Sequence, residues 1–305
     1  PPEFLSAWHA PHAPATDGLA DFEDQLRLLA ADVTTDRYGE LVTTLTWQSL
    51  QPLRDDWRFY IAYLAPDGTL LHDSEFYPPA AALWYPTSTW QTDTPVQVST
   101  LPWTLDQPRM ALVVGGYVGA NWQSGRRLGV TPASMGLPRF EGDTLVRLGG
   151  YEQGPDGRWI PIVPVQDPAA TQLDAQLGAH IALTGATVPA ASEGELLPFA
   201  LHWQSDGPVD FDYAAFAHML DASGEKVAQM AWQPQDAIGL LPVTQWQPGQ
   251  PIVDHQHLPL PDDLPTGVYR LIVGLYDWRD GVRLPVQGRD AYPGDAVLIG
   301  AVTVP

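Results

Sequence analysis

The chain has 305 residues, of which 45% are hydrophobic, and this is enough for two domains that each bury a core. Its 36 acidic and 15 basic residues give a formal net charge of −21, which disfavours nucleic acid and anionic membranes as partners because their phosphates would be repelled. It contains no cysteine, which excludes disulfides, thiolate metal sites and cysteine nucleophiles.

The N-terminal residues 1–19 are rich in proline, alanine and histidine, and we expect them to form a loose arm. No basic region followed by an apolar stretch marks a signal peptide, and no run approaches the ~20 apolar residues of a membrane span. Because the chain begins with Pro1 rather than methionine, we expect a processed chain or a fragment, with any membrane anchor outside it.

The turn-forming residues predict an all-β protein. The chain has 31 prolines and 27 glycines, which interrupt helices every few residues, whereas β-sandwiches accept them in turns and edge strands. A helix remains possible over Asp21–Ala31, although the aligned segment Leu177–Ala186 of the second half has the pattern of a strand.

An internal repeat organises the chain. When the sequence is shifted by 156 positions, Leu45–Ser49 falls on Leu201–Ser205, with Trp47 on Trp203. Tryptophan, glycine and proline are rarely exchanged, so matches at these residues argue against coincidence. Further matches in the same register are Pro52 on Pro208, Gly68 on Gly224, Pro78 on Pro234, Pro86 on Pro242, Trp90 on Trp246 and Pro95 on Pro251. We therefore predict two copies of one module, at residues 20–152 and 174–305.

Residues 153–173 are predicted to link the two copies. The sequence Gly-Pro-Asp-Gly at Gly154–Gly157 is a tight-turn signal. The stretch Trp159–Val165 carries Pro161 and Pro164, which exclude a central strand. We expect this stretch to be an extended linker or an edge segment.

The second copy has about seven strand signals, the number found in an immunoglobulin-like sandwich. Leu197, Phe199, Leu201 and Trp203 alternate with a period of two, as one buried strand face requires. The predicted strands are 181–187, 196–203, 213–220, 226–232, 251–258, 268–276 and 296–304. The predicted fold class is all-β, with two tandem immunoglobulin-like β-sandwich domains related by the repeat.

A tyrosine corner supports this fold class. Tyr269 stands at the start of a predicted strand, after Leu264-Pro265-Thr266-Gly267-Val268, where a tyrosine hydroxyl can return to the upstream backbone. The aligned residue of the first copy is Met110, so the first copy lacks the corner. The corner favours an immunoglobulin-like sandwich over a closed barrel.

A resemblance to a known family covers nearly all of residues 177–304 of the second copy. The motifs that carry it are Tyr213–Asp221, Gln229 with Pro234–Gly239, Pro242–Gly249, Ile252–Asp254, Leu258–Asp262, Pro265–Tyr269, Val273–Asp277 and Arg283–Val286. This copy resembles the C-terminal module that follows the membrane part of bacterial glycosyltransferases related to dolichyl-phosphate-mannose–protein mannosyltransferases. The first copy matches only in its skeleton. The resemblance implies an extracytoplasmic location, at the cell surface or in a periplasm-like space, and no activity for the module itself.

The best metal-binding candidates are His255 and His257. In a strand, the sequence Asp254-His255-Gln256-His257 places both imidazoles on one face, where zinc or copper could bind. No third ligand is evident, and the aligned segment Val98–Leu101 contains no histidine. The alternative is a pair of exposed histidines on an edge strand, and we predict neither a metal nor another cofactor.

Acidic residues near turns are a second candidate. Asp262, Asp263, Asp277 and Asp280 could bind calcium together with backbone oxygens. Their spacing matches no calcium loop, and aspartate is common in turns for backbone reasons alone.

No catalytic arrangement is evident, and we predict that the chain is not an enzyme. No paired carboxylates, no Gly-x-Ser-x-Gly motif and no nucleotide-binding glycine loop are recognisable. His218 lies among Phe216, Ala217 and Leu220, and is predicted to be a satisfied core histidine rather than a base.

The aromatic residues give the remaining prediction. Trp47 and Trp203 are assigned to the cores, with Trp90 and Trp246 as structural partners. Further aromatics fall near loops, where they could contact a protein, stack on a sugar or pack between domains. These residues are Trp84, Tyr85, Trp103, Trp122, Trp159 and Trp278.

Together these observations predict a non-enzymatic, extracytoplasmic module for protein interaction or assembly, whose partner is another protein, its own copies or a membrane protein complex. The alternative is a carbohydrate-binding module associated with cell-surface glycosylation. Neither prediction involves nucleic acid or insertion of this chain into a membrane.

Overall fold

The computed structural model describes His9 and residues 18–133, 137–163, 171–192 and 194–305. These residues form an almost entirely β protein, which confirms the predicted all-β class. The helical elements described are one short helix, α1 (Ala80–Trp84), and two 3-10 turns, Thr87–Thr89 and Val243–Gln245. The chain divides into two compact units between Ile162 and Val163. Most of the predicted arm lies outside the described residues.

The first unit contains twelve described strands. They are β1 (Ala20–Phe22), β2 (Leu26–Thr35), β3 (Leu41–Ser49), β4 (Arg58–Leu64), β5 (Leu70–Asp73), β6 (Val96–Ser99), β7 (Arg109–Val118), β8 (Arg126–Arg127), β9 (Val130–Pro132), β10 (Arg139–Phe140), β11 (Leu145–Gln153) and β12 (Trp159–Pro161). One sheet has the order β6-β3-β2-β1-β9, and the other β10-β11-β7-β4-β5, with β12 beside β11 and β8 beside β7.

The second unit contains ten described strands. They are β13 (Thr171–Leu177), β14 (Ile181–Thr187), β15 (Leu196–Ser205), β16 (Ala214–Leu220), β17 (Lys226–Trp232), β18 (Ile252–Pro259), β19 (Gly267–Tyr276), β20 (Val286–Gln287), β21 (Ala291–Tyr292) and β22 (Ala296–Val304). One sheet has the order β18-β15-β14-β13-β20, and the other β17-β16-β19-β22-β21. Each of the seven strands predicted from the sequence is present, with its ends within two residues.

The two units have matching strand orders. The sheet β6-β3-β2-β1-β9 corresponds strand by strand to β18-β15-β14-β13-β20. The pairing of β3 with β6 repeats in β15 and β18 at the shift of 156, whereas β1 and β2 match β13 and β14 at a shift of 155. For example, Leu45 pairs with Val98 in the first unit, and Leu201 pairs with Asp254 in the second. The registers therefore identify which residues occupy equivalent places, while the duplication itself stays a prediction from the sequence.

Each unit buries a core between its two sheets. Trp47 and Trp203 are fully buried at equivalent places in β3 and β15, as predicted. The Trp47 ring packs 4.6 Å from Phe59 on the opposite sheet, measured between ring centroids, and Trp203 lies 5.9 Å from Trp246. The period-two pattern of β15 thus buries its apolar face against the facing sheet, as in other β-sandwiches.

Trp90 and Trp246 fix the same turn in both units. Each indole N–H donates to a backbone carbonyl five residues upstream, Tyr85 for Trp90 at 2.9 Å and Leu241 for Trp246 at 3.1 Å. Both tryptophans are buried, and each follows a 3-10 turn. Their assignment as structural residues is consistent with these contacts.

Part of the predicted linker 153–173 belongs to strands of the two units, and Trp159–Pro161 agrees with the expected edge segment. Trp159–Pro161 forms β12, an edge strand of the first unit that pairs with β11, and the Trp159 side chain is buried in that unit's core. The first described strand of the second unit, β13, begins at Thr171, before the expected residue 174. Pro161 is compatible with β12 because an edge strand has one side free of ladder hydrogen bonds.

The possible helix over Asp21–Ala31 is absent. Its residues form β1 and β2, joined by a tight turn in which Glu23 and Asp24 have positive φ values of 48° and 53°. This agrees with the strand pattern of the aligned second-copy segment, which forms β13 and β14.

The predicted tyrosine corner is present. The Tyr269 hydroxyl donates to the Pro265 carbonyl at 2.7 Å, which ties the start of β19 to the preceding loop. Substituting Tyr269→Phe removes this bond and leaves a carbonyl unpaired, so we expect the free energy of unfolding to fall by about 1 kcal/mol.

Urea denaturation followed by fluorescence measures this change. Tyr292→Phe is the matched control, because the Tyr292 hydroxyl takes part in none of the described hydrogen bonds. Equal unfolding midpoints for the two variants would show that the corner does not stabilise the unit.

Candidate functional site

The predicted contact aromatics separate into exposed and buried residues. Trp84 and Trp278 are exposed, and Trp103 is half-buried with its ring centroid 3.8 Å from that of His72. Tyr85 and Trp122 are only 3% and 1% exposed, so their prediction as contact residues is wrong. Both were placed near loops, but these loops fold back on the protein and bury the rings.

An exposed aromatic segment stands out in the first unit. Within residues 76–84, four large apolar side chains point into solvent; we call this stretch the aromatic segment. Their exposed fractions are 81% for Phe76, 53% for Tyr77, 67% for Leu83 and 69% for Trp84. Single exposed hydrophobic residues are ordinary, whereas a local group of this kind is typical of an interaction surface.

The backbone of the aromatic segment is anchored from below. Ala81 and Tyr85 are buried, and the Tyr85 N–H donates to the Ala81 carbonyl at 2.8 Å. Tyr85 also packs on Trp90, with ring centroids 6.1 Å apart. Leu83 and Trp84 therefore project from a short helix whose backbone is fixed by the buried residues Ala81 and Tyr85.

The equivalent segment of the second unit turns inward. Trp232 occupies the place of Phe76, and its indole N–H donates to Asp254 at 2.8 Å. Asp254 is fully buried, and its first-unit counterpart is Val98. Because Val98 offers no acceptor, nothing draws the segment of the first unit inward in the same way.

Asp254 is a buried ionisable residue whose role the sequence did not predict. Burial raises the pKa of its carboxyl to about 6, although hydrogen bonds from Trp232, Gln256 and the Gln235 backbone lower it. The Gln256 amide donates at 2.7 Å. Since β17 and β18 are edge strands of opposite sheets, the Trp232–Asp254 bond joins the two sheets at their open side, which is a structural role.

A cavity opens on the outer face of the second unit, away from the core. Its volume is about 370 Å³, and its lining includes Phe216, His218, Gln229, Tyr276 and Arg283. His218 projects from β16, opposite Gln229 on β17 and Ile272 on β19. Cavities of roughly 300–1,000 Å³ are the usual size for small-molecule sites.

His218 is not the satisfied core histidine that was predicted. It lies half-buried on the outer face and takes part in none of the described hydrogen bonds. Burial, then the positive charges of Lys226 and Arg283, lower the pKa of its imidazole to about 4. At neutral pH the ring is uncharged and offers one donor and one acceptor.

In the first unit the equivalent place is filled. The Trp122 ring stacks on Tyr60, the counterpart of Phe216, at 4.6 Å between ring centroids. The Arg127 guanidinium lies over Trp122 at 4.2 Å and forms an ion pair with Glu141 at 2.5 Å. In the second unit Arg283, the counterpart of Arg127, lies directly over Phe216 at 4.2 Å.

Charge also differs between the two outer faces. The positions of Asp73 and Glu75 in the first unit correspond to Gln229 and Ala231 in the second. Among the second unit's five basic residues, Arg279 and Arg289 pair with neighbouring aspartates. The ion pairs of the described residues do not include Lys226, Arg270 or Arg283.

Trp278 belongs to the loop that ends at this cavity. Its ring stacks on Phe211 with centroids 6.1 Å apart, and Arg279 lies over Phe211 at 3.8 Å. Trp278 remains exposed, and Gly281 of the same loop lines the cavity.

The candidate metal ligands are not brought together. His255 and His257 are exposed on one face of β18, an edge strand, as the alternative interpretation predicts. Asp277 instead pairs with Arg279. Asp262, Asp263 and Asp280 are likewise outside any cluster, since no group of three or more His, Cys, Asp or Glu in the described ranges could hold a metal ion.

Comparison with known proteins finds no matching family model and no matching curated protein. A Bacteroides uniformis beta-glucuronidase has 12% identity and a TM-score of 0.24, over 81% of this chain and 26% of that chain. A Ruminococcus gnavus b-glucuronidase in complex with uronic isofagomine has 8% identity and a TM-score of 0.20, over 92% of this chain and 46% of that chain. The chain spans less than half of either enzyme, and TM-scores this low carry no argument about function.

Asp254 gives a testable pH dependence. Because the pKa of Asp254 is raised, the folded protein binds more protons than the unfolded chain between about pH 4 and pH 6, so this residue's contribution lowers stability as pH rises through that window. The difference from the ordinary value of 3.8 to about 6 corresponds to roughly 3 kcal/mol.

The substitution Asp254→Asn isolates this effect, since asparagine does not titrate. We expect the unfolding free energy of the unsubstituted protein, relative to Asp254→Asn, to fall by roughly 3 kcal/mol from pH 4 to pH 7.5 in urea titrations. The control is Asp106→Asn, at an exposed position, whose unfolding free energy should follow the same pH dependence as that of the unsubstituted protein. Parallel curves for Asp254→Asn as well would contradict the raised pKa.

Proposed function

We propose that the chain is a non-enzymatic, extracytoplasmic pair of immunoglobulin-like β-sandwich units that binds another protein through the aromatic segment of the first unit. The exposure of Phe76, Tyr77, Leu83 and Trp84 within nine residues carries this proposal. Burying a large apolar side chain is worth about 1.5–3 kcal/mol, so a partner that covers several of them gains a large share of a binding free energy.

The chemistry of the aromatic segment suits an interface centre. Trp and Tyr are enriched among the residues that dominate binding energies. The buried support beneath Leu83 and Trp84 limits the conformational entropy that binding would cost. The segment also bears no lysine or arginine, in agreement with the depletion of charge at interface centres.

The net charge of −21 favours a different protein over a second copy as the partner. Two copies would repel each other over the distance at which the segments meet, especially at low salt. A partner with a basic or neutral surface avoids this repulsion.

The extracytoplasmic location rests on the resemblance of the second copy to modules that follow a glycosyltransferase's membrane part. The described part of the chain contains no helix with the length and hydropathy of a membrane span. The immunoglobulin-like assignment is supported by the Tyr269–Pro265 hydrogen bond and by the shared strand order of the units.

The interaction function predicts that the native chain is found in a complex. Gentle extraction, size-exclusion chromatography and intact-mass analysis should find it well above its own mass of 33.3 kDa. The double substitution Leu83→Ser and Trp84→Ser should weaken this association at least tenfold, because two exposed anchors are lost.

The matched control is Val282→Ser, which changes a similarly exposed apolar side chain in the second unit and should leave the complex intact. A free chain of 33.3 kDa in the native extract, without any co-purifying protein, would refute the interaction function.

A second candidate function is carbohydrate binding, and the exposed stack of Trp278 on Phe211 favours it. Aromatic faces of this kind can stack on sugar rings. Titration with a broad glycan panel should change the tryptophan fluorescence, and Trp278→Ala should abolish the change for the glycans that bind. Trp84→Ala is the control for an exposed tryptophan elsewhere, and a flat response across the panel would count against this function.

A further inference from the structure

We propose that the cavity on the outer face of the second unit binds an acidic saccharide, with Arg283 and Lys226 facing its carboxylate and His218, Gln229 and Tyr276 facing its hydroxylated ring. This inference rests on the second candidate function, carbohydrate binding, and specifies both the binding site and the negative charge of the ligand. It is independent of the aromatic segment of the first unit.

Unpaired positive charge is the first argument. Lys226 is the chain's single lysine, and the protein carries 36 acidic residues, yet neither Lys226 nor Arg283 takes part in an ion pair among the described residues. Arg283 is held in place by a hydrogen bond to the Gly294 carbonyl at 2.7 Å and by its contact with Phe216. A positioned arginine with free N–H groups suits a carboxylate.

The first unit provides an internal comparison. There the equivalent arginine, Arg127, pairs with the Glu141 carboxylate, and Trp122 covers the sheet. In the second unit the equivalent tryptophan, Trp278, is exposed and stacks on Phe211 instead of covering the sheet. Gln229 and Ala231 stand where the first unit has Asp73 and Glu75. The arginine is retained while the acids and the cover are absent, so a ligand carboxylate can take the place that the protein's own acids take in the first unit.

The neutral groups define the rest of the ligand. The uncharged His218 ring and the Gln229 amide each offer donors and acceptors, which matches hydroxyl groups that both donate and accept. Lys226 donates to the Gln229 side-chain oxygen and so orients the amide N–H groups away from itself. Tyr276 and the apolar floor of Phe216 and Ala231 can contact the C–H face of a sugar ring.

The surroundings of His218 make it a local reporter. It faces Lys226 and Gln229 on β17, Ile272 on β19 and Arg283 after β19, and its own strand contributes Phe216. A carboxylate bound beside it would change its ring environment directly.

The test uses the full chain and two sugars that differ only at C6, which is a carboxylate in galacturonate and a hydroxymethyl group in galactose. The imidazole signals of His218 are followed by NMR during each titration at neutral pH and low salt, and His218→Gln assigns them. We expect galacturonate to shift these signals and to bind at least tenfold more tightly than galactose.

Two variants of equal charge change sharpen the test. Ala231→Glu restores the acid that the first unit carries at Glu75, and should lower galacturonate affinity at least tenfold. Ala179→Glu adds the same charge at an exposed turn of the other sheet, and should change the affinity less than twofold. Circular dichroism checks that both variants are folded.

The outcomes separate this inference from the carbohydrate-binding function. Equal binding of galactose and galacturonate, lost in Trp278→Ala, would keep glycan binding and overturn the acidic site. Absence of any His218 shift with galacturonate would overturn it too, and so would sulfate binding as tightly as galacturonate, since the ring contacts would then contribute nothing.

Discussion

Each sheet in this protein buries one face in a core. Its outer face must be covered or solvated, and its edge strands carry backbone groups that must be paired or protected. The buried faces follow one rule in both units, with Trp47 and Trp203 at equivalent places. The outer faces and edges do not: Trp122 covers one sheet of the first unit, whereas the equivalent sheet of the second unit is open. The exposed aromatic segment of the first unit and the open cavity of the second unit both reflect these differences in how the sheets are covered.

The two units diverge through a few exchanges that act together. Val98 in place of Asp254 removes a buried acceptor, and the aromatic at the place of Trp232 is then the exposed Phe76. In the opposite direction, Trp278, the counterpart of Trp122, stacks on Phe211 instead of the sheet, and the acidic neighbours are absent, which uncovers Arg283 and His218. The first unit thus presents an apolar surface and the second a basic cavity, so the units are suited to different ligands.

The strands could be predicted from the sequence because period-two patterns and proline-glycine punctuation are local signals. The burial of Trp122 and Tyr85 could not, because it depends on how a loop folds over a sheet face. The sequence pattern of β18 indicated His255 and His257 as candidate metal ligands, whereas the buried residue with a shifted pKa is their neighbour Asp254. Its importance depends on Trp232, which lies 22 positions away in sequence and on the other sheet. The open cavity could not be predicted either, since it arises because Trp278 packs on Phe211 whereas its counterpart Trp122 packs on the sheet.

The position of Asp254 has a further consequence for self-assembly into fibrils. An edge strand exposes unpaired backbone groups that can template pairing with another chain, and an inward-pointing charged residue is one natural defence. In β18 the carboxylate of Asp254 lies inside the sandwich and depends on Trp232 and Gln256 for its hydrogen bonds. If β18 left the unit to join a foreign sheet, it would give up these donors and carry a charge into a dry, stacked interface. The equivalent edge of the first unit, β6, carries Val98 there instead and is only four residues long, so its protection comes from shortness rather than charge.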